Sequence, residues 1–118
     1  MKTVKMTRAE LRNAIAELRG WRETIDSDGS RWIDGPQGEI DKDLPDYLGD
    51  MNEAIILFRE LPGADLFYTP SKGDVICFFA DHSSGKSGSC FASINDEAHA
   101  IAAAWYQFTT GIRVEVSE

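Results

Sequence analysis

Apolar residues recur at two different spacings along this chain, and the changes of spacing divide it into elements. Leu11, Ala14, Ile15 and Leu18 fall three and four residues apart, on one face of a helix. Thr7 and Glu10 precede them as a T-x-x-E capping box, and Gly20 follows as a stop. The pattern predicts a helix over about 8–19, with Arg8, Arg12 and Arg19 off the apolar stripe. Tyr47, Leu48, Met51, Ala54, Ile55, Phe58 and Leu61 make a second, broader stripe. Pro45 suits a first helical position, with a cap near Asp43 or Leu44, and Pro62-Gly63 ends the pattern. A third helix should begin near Ser93 or Asn95, with Asp96 and Glu97 at its positive end and Gly111 at its close. Ala98, Ile101, Ala102, Trp105 and Phe108 mark its buried side.

Elsewhere the spacing shortens to two. Three strands are expected at 65–69, 74–80 and 88–94, with Pro70-Ser71-Lys72-Gly73 as a turn. Their short connections predict an antiparallel meander, because parallel pairing needs a long crossover. Residues 21–25 and 30–33 alternate loosely around Asp28-Gly29, a hairpin signal. Residues 34–38 read as turns, and 112–118 as a tail or edge strand. The order of elements predicts an α+β fold: a mainly antiparallel sheet with helices packed on its faces, about three helices and four to five strands. The expectation is a single domain over 1–118, with its core in about 8–111.

Charge changes the picture more than composition does. The chain has 118 residues and a net charge of −8. Residues 1–25 carry six basic and three acidic side chains, whereas residues 26–53 carry nine acidic and two basic. Direct nucleic-acid binding is not expected, because it needs a basic surface that displaces counterions. No membrane partner is expected either, since no apolar stretch approaches a membrane span. The charged start lacks an apolar signal core, so the expected location is the cytoplasm. Cys77 and Cys90 both lie in apolar runs and read as buried thiols. No metal or cofactor is called for by the spacing of His, Cys, Asp or Glu.

Four stretches carry candidate chemistry. Ala80-Asp81-His82-Ser83-Ser84-Gly85-Lys86-Ser87 is a permissive phosphate-loop pattern after a strand-like run. Such a loop needs a helix to begin at its Lys-Ser pair. Gly88 and an alternating segment follow here, so a hairpin is expected instead. Thr24-Ile25-Asp26-Ser27-Asp28-Gly29 has half of a calcium-loop spacing, but Gly35 stands where the glutamate is required. His82 and His99 read as a loop and a helix-surface histidine. The fourth stretch is acidic. Asp46, Asp50 and Glu53 share one face of the expected second helix, with Asp41 and Asp43 just before it. This face is the first candidate for contact with a basic partner. A small-molecule site for a nucleotide signal, lined by Trp32, Ser83, Ser84, Lys86 and Ser87, is the alternative. A small hydrolase using His82 or clustered carboxylates is a third. The Ala98–Ala104 run could pack against another copy of the chain.

Leu44-Pro45-Asp46-Tyr47-Leu48-Gly49-Asp50-Met51-Asn52-Glu53-Ala54 resembles the L-P-D-Y-L-x-D-[LM]-N-x-A segment of the phage ABA-sandwich domain, a family of small phage and prophage proteins. Gly20-Trp21, the Trp32–Pro36 stretch and the Ala-rich closing helix follow the same order, so the resemblance covers roughly 8–111. It implies an α/β/α sandwich and expression in a bacterial host. It supplies no family activity or catalytic residue. Together these features favour a small phage-encoded accessory protein without catalysis. Its expected partner is a host protein with a basic surface, such as a defence or nucleic-acid-processing machine that it inhibits.

Overall fold

A computed structural model describes residues 2–41 and 43–117. In chain order the elements are β1 (Thr3–Thr7), α1 (Arg8–Leu18), β2 (Arg22–Ile25), β3 (Arg31–Asp34), β4 (Ile40–Asp41), α2 (Met51–Glu60), β5 (Asp65–Thr69), β6 (Asp74–Asp81), β7 (Lys86–Ser93), α3 (Glu97–Thr110) and β8 (Arg113–Ser117). The α+β class and the three helices stand as expected. The strands are more numerous, and they divide into three small sheets: the antiparallel β2-β3-β4 and β5-β6-β7, and a parallel β1-β8 pair.

α1 is held at its start by the expected capping box. The Glu10 N–H donates to Thr7 Oγ1 (3.1 Å), and the Thr7 N–H donates to Glu10 Oε1 (3.0 Å). α3 is the hub of the core. It packs against α2, β6, β7 and β8, and its residues from Ala100 to Gln107 are buried. A helix enclosed this way must be apolar nearly all round, and small side chains let its neighbours approach. The Ala98–Ala104 face is therefore consumed inside the chain and offers nothing to a second copy. Gly111, at φ +74°, ends α3 in a left-handed conformation that glycine adopts without strain.

The alternation along β6 turns Val75, Cys77 and Phe79 inward onto α3. Cys77 and Cys90 stand opposite each other in the β6-β7 register, both buried and free. The outward row carries Phe67, Phe78 and Phe91, with Phe67 and Phe78 edge to face at 5.1 Å.

The second helix begins later than the proline suggests. Pro45 does not open it; α2 starts at Met51, and Asp50 is its N-cap, accepting from the Asn52 N–H (2.9 Å). Asp46 competes successfully with the helix for the preceding backbone. Its carboxylate accepts from the N–H groups of Leu48 (3.3 Å) and Gly49 (3.0 Å), and its carbonyl accepts from the Asp50 N–H (3.0 Å). The 45–50 segment is thus a separate turn that seats Tyr47 and Leu48 in the core.

Candidate functional site

The turn before α2 changes how the acidic residues are displayed. Only Glu53 is on the helix, so Asp46, Asp50 and Glu53 do not form the expected helical face. They are nevertheless brought together. Asp41, Asp43, Asp46, Asp50 and Glu53 all line one cleft of about 690 Å³, joined by Glu39. Three pieces of chain build it: the end of α1 with Trp21, the β3–β4 connection with β4, and the turn leading into α2. Trp21, Pro36, Leu44, Pro45, Tyr47 and Ile56 give its walls apolar surface between the carboxylates. Its volume lies within the range of ordinary binding clefts.

Among the described residues, six carboxylates line the cleft, against one guanidinium, that of Arg19. Arg19 is already committed. It pairs with Glu60, donates from Nε to the Tyr47 hydroxyl (3.2 Å), and lies over the rings of Tyr47 and Trp105. Burial opposes its charge, but Glu60 and Tyr47 more than offset this and hold its pKa above the ordinary value. Tyr47 is itself pushed up, chiefly by burial, with Arg19 pulling the other way. Among the described residues, no ion pair neutralises Asp43, Asp46, Asp50 or Glu53. Nor do any three His, Cys, Asp or Glu side chains among them converge as a metal-ligand set. The carboxylates are spread along a wall, an arrangement that suits several cationic groups on a surface better than one ion.

The alternative pocket is not assembled. Ser83 and Ser84 lie in the turn between β6 and β7, and Lys86 and Ser87 open β7 itself, so a strand begins where a phosphate loop needs a helix. The turn is organised around its own carboxylate. Asp81 accepts from the Ser83 N–H (3.1 Å), Ser83 Oγ (2.7 Å) and Ser84 Oγ (2.8 Å), and these bonds lower its pKa. A phosphate would meet that negative charge rather than free donors. The ammonium of Lys86 sits over the Phe108 ring at 5.5 Å. Trp32 is elsewhere, on β3, donating from its indole N–H to Asp34 (3.0 Å), and it lines neither hollow beside Lys86 and Ser87.

The histidines divide. His82 is exposed in the β6–β7 turn, as expected of a loop residue. His99 is not a free surface residue: its side chain is 19% exposed, and its Nδ1 lies 3.2 Å from Arg8 and 3.4 Å from Asp96. The half calcium-loop pattern forms the β2–β3 hairpin turn, closed by the Asp26 N–H donating to the Ser30 carbonyl (2.7 Å). The cleft could not be read from spacing, because Trp21 and Arg19 reach it only through tertiary packing. The run of acidic residues was its one visible signal. Among the described residues, no helix is long and apolar enough to cross a membrane. Comparison with family models, curated proteins and solved structures finds no match for the chain.

Proposed function

We propose that this chain is a binding protein without catalysis, and that its acidic cleft docks a basic surface of another protein. One observation carries the reading: six carboxylates between Glu39 and Glu53 line one concave surface, and the guanidinium that closes it from the end of α1 is already paired. Apolar patches from Trp21, Leu44, Pro45 and Ile56 lie between the charges. They would pack against the stems of lysine or arginine side chains while the carboxylates meet the heads. The resemblance of the 44–54 segment to phage ABA-sandwich proteins supplies the setting. In that setting the chain is a phage or prophage accessory factor whose partner is a host protein, as an inhibitor of a defence or nucleic-acid-processing machine.

The test compares affinity capture from bacterial lysate by the wild-type chain and by the Asp43→Lys, Glu53→Lys double variant. These two positions are chosen because Asp46 and Asp50 also hold the turn and the helix cap. A stoichiometric partner is expected with the wild type, released as salt rises and absent with the variant. Equal recovery of the same partner by both proteins would rule this cleft out.

A further inference from the structure

The crossover through α3 leaves a gap between two strands. β7 passes through residues 94–96 into α3, and α3 passes through residues 111–112 into β8. Each short connection reverses the chain, so β7 and β8 run the same way, as in a β-α-β unit. They do not pair: β7 ends the β5-β6-β7 sheet, and β8 pairs with β1. Between them lies a groove of about 330 Å³, lined by Cys90 and Phe91, by His99 and Ala103 of α3, and by Val114 and Val116. None of these residues lines the acidic cleft.

Backbone parity turns unpaired groups toward this groove from both sides. The Ile94 N–H donates to the Gly73 carbonyl (2.8 Å), which fixes the even-numbered residues of β7 as those bonded to β6. Ser89 and Phe91 therefore present their N–H and C=O at the opposite edge. Across the groove, the Arg113 N–H donates to the Lys2 carbonyl (2.9 Å). In that parallel ladder Arg113, Glu115 and Ser117 bond to β1, and Val114 and Val116 present their backbone groups away from it. Edges with unpaired donors and acceptors are templates for another strand.

Side chains narrow the occupant. The floor is small and apolar, with Cys90, Ala103 and Val114 buried. At the rim Arg113 is exposed and enters no ion pair among the described residues. Lys5 stands opposite Glu115 in the β1-β8 register, so those two charges offset each other and the charge of Arg113 is left over. The rim therefore carries a net positive charge on a chain whose net charge is −8.

We propose that this groove accepts a strand: an extended segment of a partner protein, apolar on its inward side and acidic on its outward side, inserts between β7 and β8. It would join the β5-β6-β7 sheet to the β8-β1 pair through main-chain hydrogen bonds, with side-chain alternation giving specificity.

The probe is a fluorescein-labelled capped peptide, Thr-Val-Asp-Val-Asp-Val-Thr, titrated against the whole chain by anisotropy. Ser89→Pro removes an N–H that faces the groove and leaves the β6 ladder intact. Arg113→Glu changes only the exposed rim, and it reads the same site if the proline variant fails to fold. Saturable binding is expected, weakened about tenfold or more by either variant and by proline at the peptide's central valine. Amide exchange should slow at Ser89, Phe91, Val114 and Val116 in the complex. No saturation by about 1 mM peptide would overturn the proposal. Equal affinity for the wild type and the folded variants, or protection confined to other residues, would do so as well.

Discussion

The guanidinium of Arg19 and the carboxylate of Glu60 tie the end of α1 to the end of α2, and the same carboxylate accepts the Trp105 indole N–H at 3.0 Å. One acidic side chain therefore fastens three helices at the back of the acidic cleft. Glu60 is 42% exposed, so the ion pair itself is screened. The stronger contribution comes from the half-buried guanidinium, bonded to Tyr47 and lying over two rings. Arg19→Met should cost about 1–2 kcal/mol in urea unfolding. A midpoint unchanged from wild type would show that the ring contacts and the Tyr47 bond contribute nothing.

Asp50 has two roles that substitution can separate. As N-cap of α2 it accepts the Asn52 N–H, and as a cleft residue it contributes charge. Asp50→Ala should destabilise the chain by about 1 kcal/mol, and Asp50→Asn by only a few tenths. Both remove the same charge, so both should weaken a basic partner alike. A denaturation series on the pair, read beside partner affinity, tests both roles at once. Equal stability of the two variants would deny the cap.

Burial raises both cysteine thiols, Cys77 to about 12 and Cys90 to about 11, from an ordinary value of 9.0. Between pH 9 and 11 the unfolded chain therefore loses thiol protons that the folded chain keeps. The unfolded state binds fewer protons there, and stability falls as pH rises. The thiol contribution is complete below pH 9 and disappears on passing the folded values. Wild type should lose stability more steeply over this window than the Cys77→Ala, Cys90→Ala double variant. Parallel pH profiles would contradict the burial. Alkylation by iodoacetamide at neutral pH should likewise follow unfolding.

Gly88 lies where β7 passes close to α3. A Cβ there would meet the Gln107 amide and come within 2.8 Å of the Phe79 ring. Gln107 is itself buried and accepts from the Cys90 thiol at 3.3 Å, so it has little room to retreat. Gly88→Ala should cost about 1–3 kcal/mol by overpacking. A melting temperature within error of wild type would mean that the Gln107 side chain can swing clear.

Much of the fold was legible, and the failures have local causes. The α1 capping box, the Asp28-Gly29 hairpin, the β5-β6-β7 meander and the stop at Gly111 follow from short-range chemistry, which sequence displays directly. The start of α2 did not, because Asp46 and Asp50 both bind nearby N–H groups and the earlier one wins the turn. β1 was missed because Thr3–Thr7, though it alternates polar and apolar, is only five residues long and its partner lies at the far end of the chain. For the cleft, the acidic residues were visible and their surroundings were not. His99 was misplaced because a helical position says nothing of Arg8, which reaches it from the start of α1.

The parallel pairing of β1 with β8 also sets an order of events. A chain emerging residue by residue exposes Thr3–Thr7 first, and the strand that completes its ladder, Arg113–Ser117, comes after every helix. Until then β1 is a tether on the start of α1 with its backbone open to water. Closing so large a loop is among the slower steps available to a small domain. The hairpins and the β5-β6-β7 meander can form while synthesis continues, but α1 is seated finally only when the two ends meet.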